Sequence, residues 1–234
     1  MAREEFTKMN PLRILEKSIK GGLQKGDVAI IASPKGFGKT ACLVYIATES
    51  LLQGKHVIHV SFSSRTDHII SWYEEIFGKI AKKRNLEDTM EIHDEIIRNR
   101  VIMNFNQHGL APGQLVRSLR SMIKDGHFAA DLVIVDGYDL SRGNAENFKE
   151  LKDLAAEMGL CIWFSASTQE GVSLAFGTVP EELSVYMDHV DILITLADKK
   201  NHIALQLVKD HGVIVQEDLH VRLDPQTLLI AEEE

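Results

Sequence analysis

The chain has 234 residues, of which 44% are hydrophobic and 26% charged, as in an ordinary globular protein of one large domain or two small ones. Its 34 acidic residues outnumber 26 basic ones and give a net charge of −8. This balance argues against general affinity for nucleic acid or anionic membranes.

The chain shows neither a membrane span nor a secretion signal. No run approaches the ~18 to 20 apolar residues that a membrane helix needs, and the first ten residues contain no apolar core. Cys42 and Cys161 each lie within an apolar run, which is typical of buried free thiols in a reducing compartment. We therefore expect a cytoplasmic protein with no membrane association.

Short apolar, β-branched runs alternate with longer amphipathic stretches up to Phe164. Nearly continuous apolar character over a few residues is typical of strands covered on both faces. The predicted strands are Val28 to Ala32, Val57 to Phe62, Val101 to Phe105, Leu132 to Val135 and Cys161 to Phe164. The predicted helices are Lys39 to Leu52, Thr66 to Lys83, Gly113 to Asp125 and Asn144 to Met158. This order predicts a parallel, doubly wound sheet.

After residue 189 the pattern changes to short strands separated by turn residues. The predicted strands are Val190 to Ala197, Ile203 to Lys209, Val213 to Gln216 and His220 to Leu223. Such strands should form antiparallel hairpins that extend the sheet. Residues 83–100 are densely charged with helical spacing, and we expect a solvated insertion or an edge helix there. Without repeats or linkers, residues 1–234 are predicted to form a single domain.

The strongest motif follows the first predicted strand and opens the first predicted helix. Ser33-Pro34-Lys35-Gly36-Phe37-Gly38-Lys39-Thr40 has the spacing of the phosphate-binding P-loop, with Ser33 in place of the first glycine. The two glycines let successive backbone N–H groups turn toward phosphate oxygens, and the helix directs its positive end to the same anion. Lys39 can reach the β- and γ-phosphates, and the Thr40 hydroxyl can ligate Mg²⁺.

The same stretch admits a dinucleotide-binding interpretation, since Gly36, Gly38 and Ala41 fit G-x-G-x-x-[GA]. That fingerprint expects its first glycine at the strand end and an acid about 20 residues further on. Here three residues intervene, and no carboxylate closes the second predicted strand. We therefore predict that Ser33 to Ala41 bind ATP.

A second motif, Asp131-Leu132-Val133-Ile134-Val135-Asp136, has four apolar residues that end in an acid, the form of a Walker B strand. Such a strand is expected beside the P-loop strand, where its carboxylate reaches the metal, usually through water. The sequence therefore predicts that Thr40 and Asp136 hold Mg²⁺.

With these motifs the chain resembles the RecA-like ATPases, particularly the DnaB-type replicative helicases and KaiC-like proteins. The resemblance covers residues 10–216 and includes five further segments. They are Asn10-Pro11-Leu12 to Gly21-Gly22-Leu23, Lys25-Gly26-Asp27, Gly54 to Ser61, Leu151 to Ala155, and Val208 to Gly212. It implies an α/β, three-layer P-loop NTPase (RecA-like) fold with a mostly parallel central sheet extended by C-terminal antiparallel hairpins. It also implies ATP and Mg²⁺ as cofactors.

The resemblance implies catalytic residues that are partly replaced here. The family's catalytic glutamate follows the second strand, where this chain has Ser63 and Ser64, and serine is not a useful base at neutral pH. Glu74 or Glu75 on the following helix would have to substitute. The family's γ-phosphate sensor aligns with Ser167, give or take one residue, and with Gln169 if the loop shifts.

In family rings a lysine and an arginine near the C-terminal hairpin reach the neighbouring subunit's nucleotide. Lys209 matches the lysine, and His211 stands where the arginine would be. A neutral imidazole is a poor replacement for a fixed, forked cation. Together with the missing glutamate, this predicts nucleotide binding with slow or absent hydrolysis. The resemblance also implies a homo-oligomer, in the form of a ring.

The two loops that grip DNA in family rings are poor in basic residues here. Thr168 to Leu183 contains three glutamates and no lysine or arginine, and Gly137 to Glu146 contains only Arg142. Phosphate neutralisation supplies most non-specific affinity, so a nucleic-acid partner is not expected. The basic run Lys82-Lys83-Arg84 is expected to be solvated surface.

Two functions from different classes stay open. One is a nucleotide-dependent regulatory or assembly protein whose protein partner the sequence does not name. The other is an active DNA-dependent ATPase, helicase-like or a repair accessory protein. Steady-state ATP hydrolysis with and without single-stranded DNA distinguishes the two.

Overall fold

The structure, a computed structural model, describes residues 19, 22–63, 65–111, 113–169, 177–199, 201–224, 227 and 229–232. Residues 10–12, Gly21, Ser64 and Glu170, which carried sequence-based expectations, lie outside the described residues. Among the helices described, none combines the length and apolar character that a membrane crossing requires.

The strands and helices alternate along most of the described chain. The strands are β1 (Val28–Ser33), β2 (Val57–Ser61), β3 (Arg100–Asn104), β4 (Leu132–Asp136), β5 (Cys161–Ser167), β6 (Ile192–Asp198), β7 (Ile203–Asp210), β8 (Val213–Leu223) and β9 (Ile230–Glu232). The α-helices are α1 (Lys39–Leu52), α2 (Thr66–Arg84), α3 (Thr89–Arg98), α4 (Gln114–Lys124) and α5 (Ala145–Met158). Short 3₁₀ segments lie at Gln107–Gly109, Leu140–Arg142 and Glu181–His189.

The described strands form one sheet with the order β3-β2-β4-β5-β1-β6-β7-β8-β9. In this order the strands from β3 to β6 are parallel, and β7, β8 and β9 continue the sheet in antiparallel fashion. Every residue of β1, β2 and β4 is buried, which explains their continuous apolar runs. The expected α/β architecture, mostly parallel with C-terminal antiparallel hairpins, is confirmed.

The sheet separates two apolar cores, and the helices complete a three-layer arrangement. One core packs α1, α2 and α3 against the sheet through residues such as Leu43, Ile76 and Ile96. The opposite core packs α4 and α5 through residues such as Leu119 and Leu154. Covering both faces brings the carboxyl ends of β1, β2, β4 and β5 to one shared edge, where ligands of open parallel sheets bind.

The expectation that the strand ending in Asp136 lies beside the P-loop strand is wrong. β5 lies between them, since it pairs with β1 on one side and with β4 on the other. The apolar pattern of β4 reports burial on both faces and carries no information about its lateral neighbour. The separation is bridged because α1, which begins at the end of the P-loop, packs across both β4 and β5.

Two predicted C-terminal strands, Val213 to Gln216 and His220 to Leu223, are one strand, β8. The polar residues between them keep pairing with β7, since Glu217 lies opposite Leu207 and Asp218 opposite Gln206. The pairing register shifts along this pair, and His220 has a positive φ of 50°. A bulged strand tolerates polar residues that resemble a turn in the sequence.

The charged stretch after residue 83 forms the end of α2 and the helix α3, which packs at the edge of the first core. Lys82 and Lys83 are exposed as expected, but Arg84 is buried, and that expectation was wrong. Its guanidinium pairs with Glu49 in the last turn of α1, and their side chains are only 8% and 2% exposed. A guanidinium can lie at this depth because a carboxylate compensates its charge.

Candidate functional site

The P-loop connects the end of β1 to the start of α1, and its shape depends on two glycines. Gly36 and Gly38 have φ values of 84° and 87°, a left-handed conformation that favours glycine. Gly38 has a second constraint, because a Cβ there would lie 2.4 Å from Cδ2 of Leu223 on β8. The antiparallel extension of the sheet therefore packs directly against the loop and restricts this position to glycine.

The Lys39 side chain is folded onto the loop itself. Its Nζ donates to the carbonyl oxygens of Ser33 and Pro34, both at 2.8 Å, and lies 3.3 Å from Ser33 Oγ. The residue is buried, with 8% exposed. Burial lowers the pKa of Lys39 to about 8, and the negative charge of Asp136 partly opposes this shift. The loop thus holds a buried cation on neutral oxygens, which phosphate oxygens can replace.

Thr40 and Asp136 meet at the first turn of α1 and the end of β4. The Thr40 hydroxyl donates to Asp136 Oδ2 at 2.9 Å. The strand end is held from both sides: Phe62 N donates to the Asp136 carbonyl at 2.9 Å, and Gly137 N donates to Ser165 Oγ at 2.8 Å. Both predicted metal ligands therefore lie together on a fixed backbone.

The donor chemistry of this pair fits Mg²⁺. A hydroxyl and a carboxylate are hard oxygen ligands, and Mg²⁺ characteristically takes only one or two of them from the protein. Within the described residues no group of three His, Cys, Asp or Glu side chains could hold a metal ion by itself. A metal bound here would need phosphate and water oxygens to complete its coordination, which is the usual situation for Mg²⁺ with a nucleotide.

The ends of β2 and β3 contribute hydroxyl and amide groups to the same edge of the sheet. Ser61 lies opposite Asp136 in the strand register, and its Oγ accepts from Ser63 N at 3.1 Å. Asn104 Nδ2 donates to the Ser63 carbonyl at 2.8 Å. These neutral side chains occupy the region where the resemblance places a catalytic glutamate.

The structure does not bring Glu74 and Glu75, the expected substitute bases, to the P-loop. Glu74 Oε2 lies 2.6 Å from His93 Nε2 on α3, and Glu75 pairs with Lys79 on its own helix at 2.6 Å. Glu74 is also close enough to Arg100, the first residue of β3, to interact with its charge. α2 has by then run toward the amino ends of the strands, away from Asp136.

At the end of β5, Thr168 rather than Ser167 turns toward the loop. Ser167 pairs in register with Ser33 but is exposed. Thr168 is 7% exposed, its N–H donates to the Ser33 carbonyl at 3.1 Å, and its hydroxyl has no partner among the described residues. Gln169 N donates to Glu182 Oε1 at 2.9 Å. The sequence alignment allowed a shift of one residue, and Thr168 is the neighbour whose buried hydroxyl is left to bind a ligand.

Lys209 and His211 lie at the opposite edge of the sheet and are engaged within their own chain. Lys209 is opposite Leu193, at the start of β6, and its Nζ donates to the Met187 carbonyl. His211 Nδ1 is 2.6 Å from Asp210 Oδ1, and Nε2 is 3.0 Å from Asp27 Oδ2. Burial alone would lower the pKa of His211, but hydrogen bonds to the two carboxylates raise it above its ordinary value.

Comparison with known proteins locates this arrangement in fold space. No protein-family model matches the chain, and no curated protein matches it by sequence. Among solved structures, the ATPase domain of a DnaB-like helicase is similar, with a TM-score of 0.68 over 94% of this chain and 89% of that one, at 16% identity. At this identity the similarity establishes the fold, and the predicted RecA-like P-loop ATPase fold of the DnaB type is confirmed.

Proposed function

We propose that this chain binds ATP with Mg²⁺ at the loop between β1 and α1 and hydrolyses it slowly or not at all. The observation that carries the proposal is the grouping of Lys39, Thr40 and Asp136 at one edge of a RecA-like sheet, with Thr40 Oγ1 2.9 Å from Asp136 Oδ2. Lys39 would bind the β- and γ-phosphates, and Thr40 and Asp136 would hold the metal. Bound Mg²⁺ would neutralise phosphate charge.

Slow turnover is inferred from the groups beside Asp136. A general base must lie within hydrogen-bond reach of the attacking water, directly or through one further water. The described ends of β2 and β3 offer Ser61, Ser63 and Asn104 there, and none of these is a base at neutral pH. Glu74 and Glu75, by contrast, are paired elsewhere.

The hydroxyl of Thr168 supports binding rather than proton abstraction. It is buried at the end of β5 and has no hydrogen-bond partner among the residues that the structure describes. A hydroxyl can donate to a terminal phosphate oxygen, whereas it does not take up a proton at neutral pH. The group therefore favours recognition of the nucleotide without supplying the missing base.

The proposed biological role is regulatory: bound nucleotide sets conformation or self-association. Lys209 and His211 lie at the amino edge of the sheet, so only the nucleotide of a neighbouring copy could meet them. For Lys209 to act this way, its ammonium must leave the Met187 carbonyl. Light scattering with and without ATP, at pH 6 and pH 8, tests assembly; a monomer under all four conditions excludes the ring.

Nucleotide binding is tested by thermal unfolding with and without ATP–Mg²⁺. At a ligand concentration about 100 times Kd, binding stabilises the fold by ~2.7 kcal/mol. Lys39→Ala should lose most of this stabilisation, whereas Lys82→Ala, which removes an exposed lysine from α2, should keep it. No shift in the parent protein, or a full shift in Lys39→Ala, would show that the site is misassigned.

Hydrolysis is tested on the same proteins. We expect a turnover below ~1 s⁻¹, the low end of typical enzymes, with or without single-stranded DNA. Ser63→Glu places a carboxylate at the end of β2 and should raise the rate. Because the similar solved structure is called an ATPase domain, brisk hydrolysis is the alternative outcome, and DNA stimulation of it would support a DNA-dependent ATPase.

A further inference from the structure

Ser33 occupies the position at which the P-loop spacing has its first glycine, and its side chain contacts Lys39. It is the last residue of β1 and is completely buried. Its hydroxyl donates to the Pro34 carbonyl at 3.1 Å and lies 3.3 Å from Lys39 Nζ, which can donate to it in turn. A glycine at this position would offer the lysine a carbonyl oxygen but no hydroxyl.

The hydroxyl completes the hydrogen bonding of the lysine. An ammonium group has three N–H donors and no acceptor. Three oxygens surround it: the Ser33 carbonyl and the Pro34 carbonyl, both at 2.8 Å, and Ser33 Oγ at 3.3 Å. Each donor therefore has a partner inside the loop. Without the hydroxyl, two backbone carbonyls would serve three donors, and one N–H would lack an acceptor from the loop.

We propose that Ser33 is a positioning residue that weakens nucleotide binding by holding Lys39 on the loop's own oxygens. The inference rests on the proposed function, because it concerns the lysine assigned to the β- and γ-phosphates. To reach phosphate, the ammonium must exchange its present oxygens for phosphate oxygens. Every bond it gives up offsets part of the gain, so the extra hydroxyl raises the nucleotide concentration at which the protein responds.

Removing the hydroxyl should leave the loop backbone in place. The Ser33 carbonyl accepts from Thr168 N at 3.1 Å, and Ser33 pairs with Ser167 in the β1–β5 register. Neither contact involves the Ser33 side chain. Ser33→Ala and Ser33→Gly therefore remove one lysine contact while the strand pairing that orients the loop is retained.

The expected change is a gain of affinity. A net hydrogen bond of ordinary strength corresponds to about a two- to tenfold change in an equilibrium constant, and the 3.3 Å separation places this contact at the lower end. Ser33→Ala and Ser33→Gly should lower Kd for ATP–Mg²⁺ and ADP–Mg²⁺ by about two- to fivefold. AMP lacks the phosphates that Lys39 contacts, so its Kd should not change.

The experiment is calorimetric titration of ATP–Mg²⁺ and ADP–Mg²⁺, with AMP measured by competition. Ser50→Ala is the matched control, since it removes a buried hydroxyl that bonds to the Ile46 carbonyl within α1. We expect tighter ATP and ADP binding in both Ser33 variants, unchanged AMP binding, and parental affinities in the control. Damage to the loop would weaken binding, so a gain of affinity separates positioning from a merely structural role.

Two kinds of failure are distinguishable. If the parent protein does not bind ATP–Mg²⁺, the proposed function fails. If the parent binds but both folded Ser33 variants bind ATP equally or more weakly, or bind AMP more tightly by the same factor, the role assigned to Ser33 is wrong. If neither variant folds, the hydroxyl is required for folding, and this too overturns the proposal.

Discussion

The two edges of the parallel sheet both bury charge, but they satisfy it differently. At the carboxyl edge, Lys39 and Asp136 are held by backbone carbonyls and hydroxyls, which are neutral groups. At the amino edge, Asp27 faces His211 at 3.0 Å and Lys152 at 4.0 Å. Neutral partners can be exchanged for phosphate or metal, whereas loss of a charged partner leaves a buried charge uncompensated. The first edge is suited to ligand exchange and the second to holding elements together.

The largest effect is expected on the amino-edge side, at the ion pair between Arg84 and Glu49. Arg84→Met should cost about 3–5 kcal/mol of unfolding free energy, because the carboxylate stays buried without its partner. Burial already raises the pKa of Glu49, against the opposing charge of Arg84. Denaturant unfolding measures the loss, and Lys83→Met, at the exposed neighbouring position, should change stability little.

The double variant Glu49→Leu/Arg84→Met sharpens this prediction. Removing both charges from a buried pair is often neutral or stabilising, so the double variant should recover most of the stability lost by Arg84→Met. If the two losses simply add, the pair is not the cause of the destabilisation.

At the carboxyl edge, Asp136→Asn should spare the fold and affect the metal. Asparagine keeps an oxygen that can accept from the Thr40 hydroxyl, so unfolding without nucleotide should change little. Loss of the negative charge should raise the Mg²⁺ concentration required for nucleotide-induced stabilisation by about tenfold or more.

A Mg²⁺ titration of the thermal shift at fixed ATP measures this effect. Asp139→Asn is the matched control, since it changes the next acid along the chain, which caps the 3₁₀ segment Leu140–Arg142. An unchanged Mg²⁺ requirement in Asp136→Asn would show that the carboxylate does not hold the metal.

The smallest effect is expected from His211, which ties the β7–β8 turn to the start of β1. Its folded-state pKa is raised, so its stabilising contribution is complete below the unfolded pKa of ~6.5 and is lost as pH rises through the folded value. The groups that face it are Asp27, Asp191, Asp210, Lys152 and Lys209. Because the imidazole is partly solvated, the contribution should be on the order of 1 kcal/mol or less.

Unfolding free energies of the parent and His211→Gln between pH 5 and pH 9 test this contribution. The two proteins should differ most at low pH and converge at high pH. A difference that grows with pH would mean that the neutral imidazole is the stabilising form, which contradicts the two-carboxylate arrangement.

The sequence by itself determined the elements of the fold and the P-loop. Parallel strands covered on both faces must be apolar throughout, so β1, β2, β4 and β5 were predicted to within a few residues, and α1 was predicted with its observed bounds. The P-loop is a local motif, since its glycines and Lys39 act through the backbone that connects them. Such features depend on neighbours along the chain, which a sequence displays directly.

The tertiary structure alone decided which distant groups meet. Thr40 and Asp136 are 96 residues apart and touch although β5 separates their strands, because α1 crosses the sheet. Arg84 looked like surface until Glu49 covered its charge, and the Thr168 hydroxyl lacks a partner within the described chain only because the fold packs over it. Burial and pairing are properties of closed surfaces rather than of residue types. Whether a polar side chain serves the site or the fold is therefore settled only when the layers pack together.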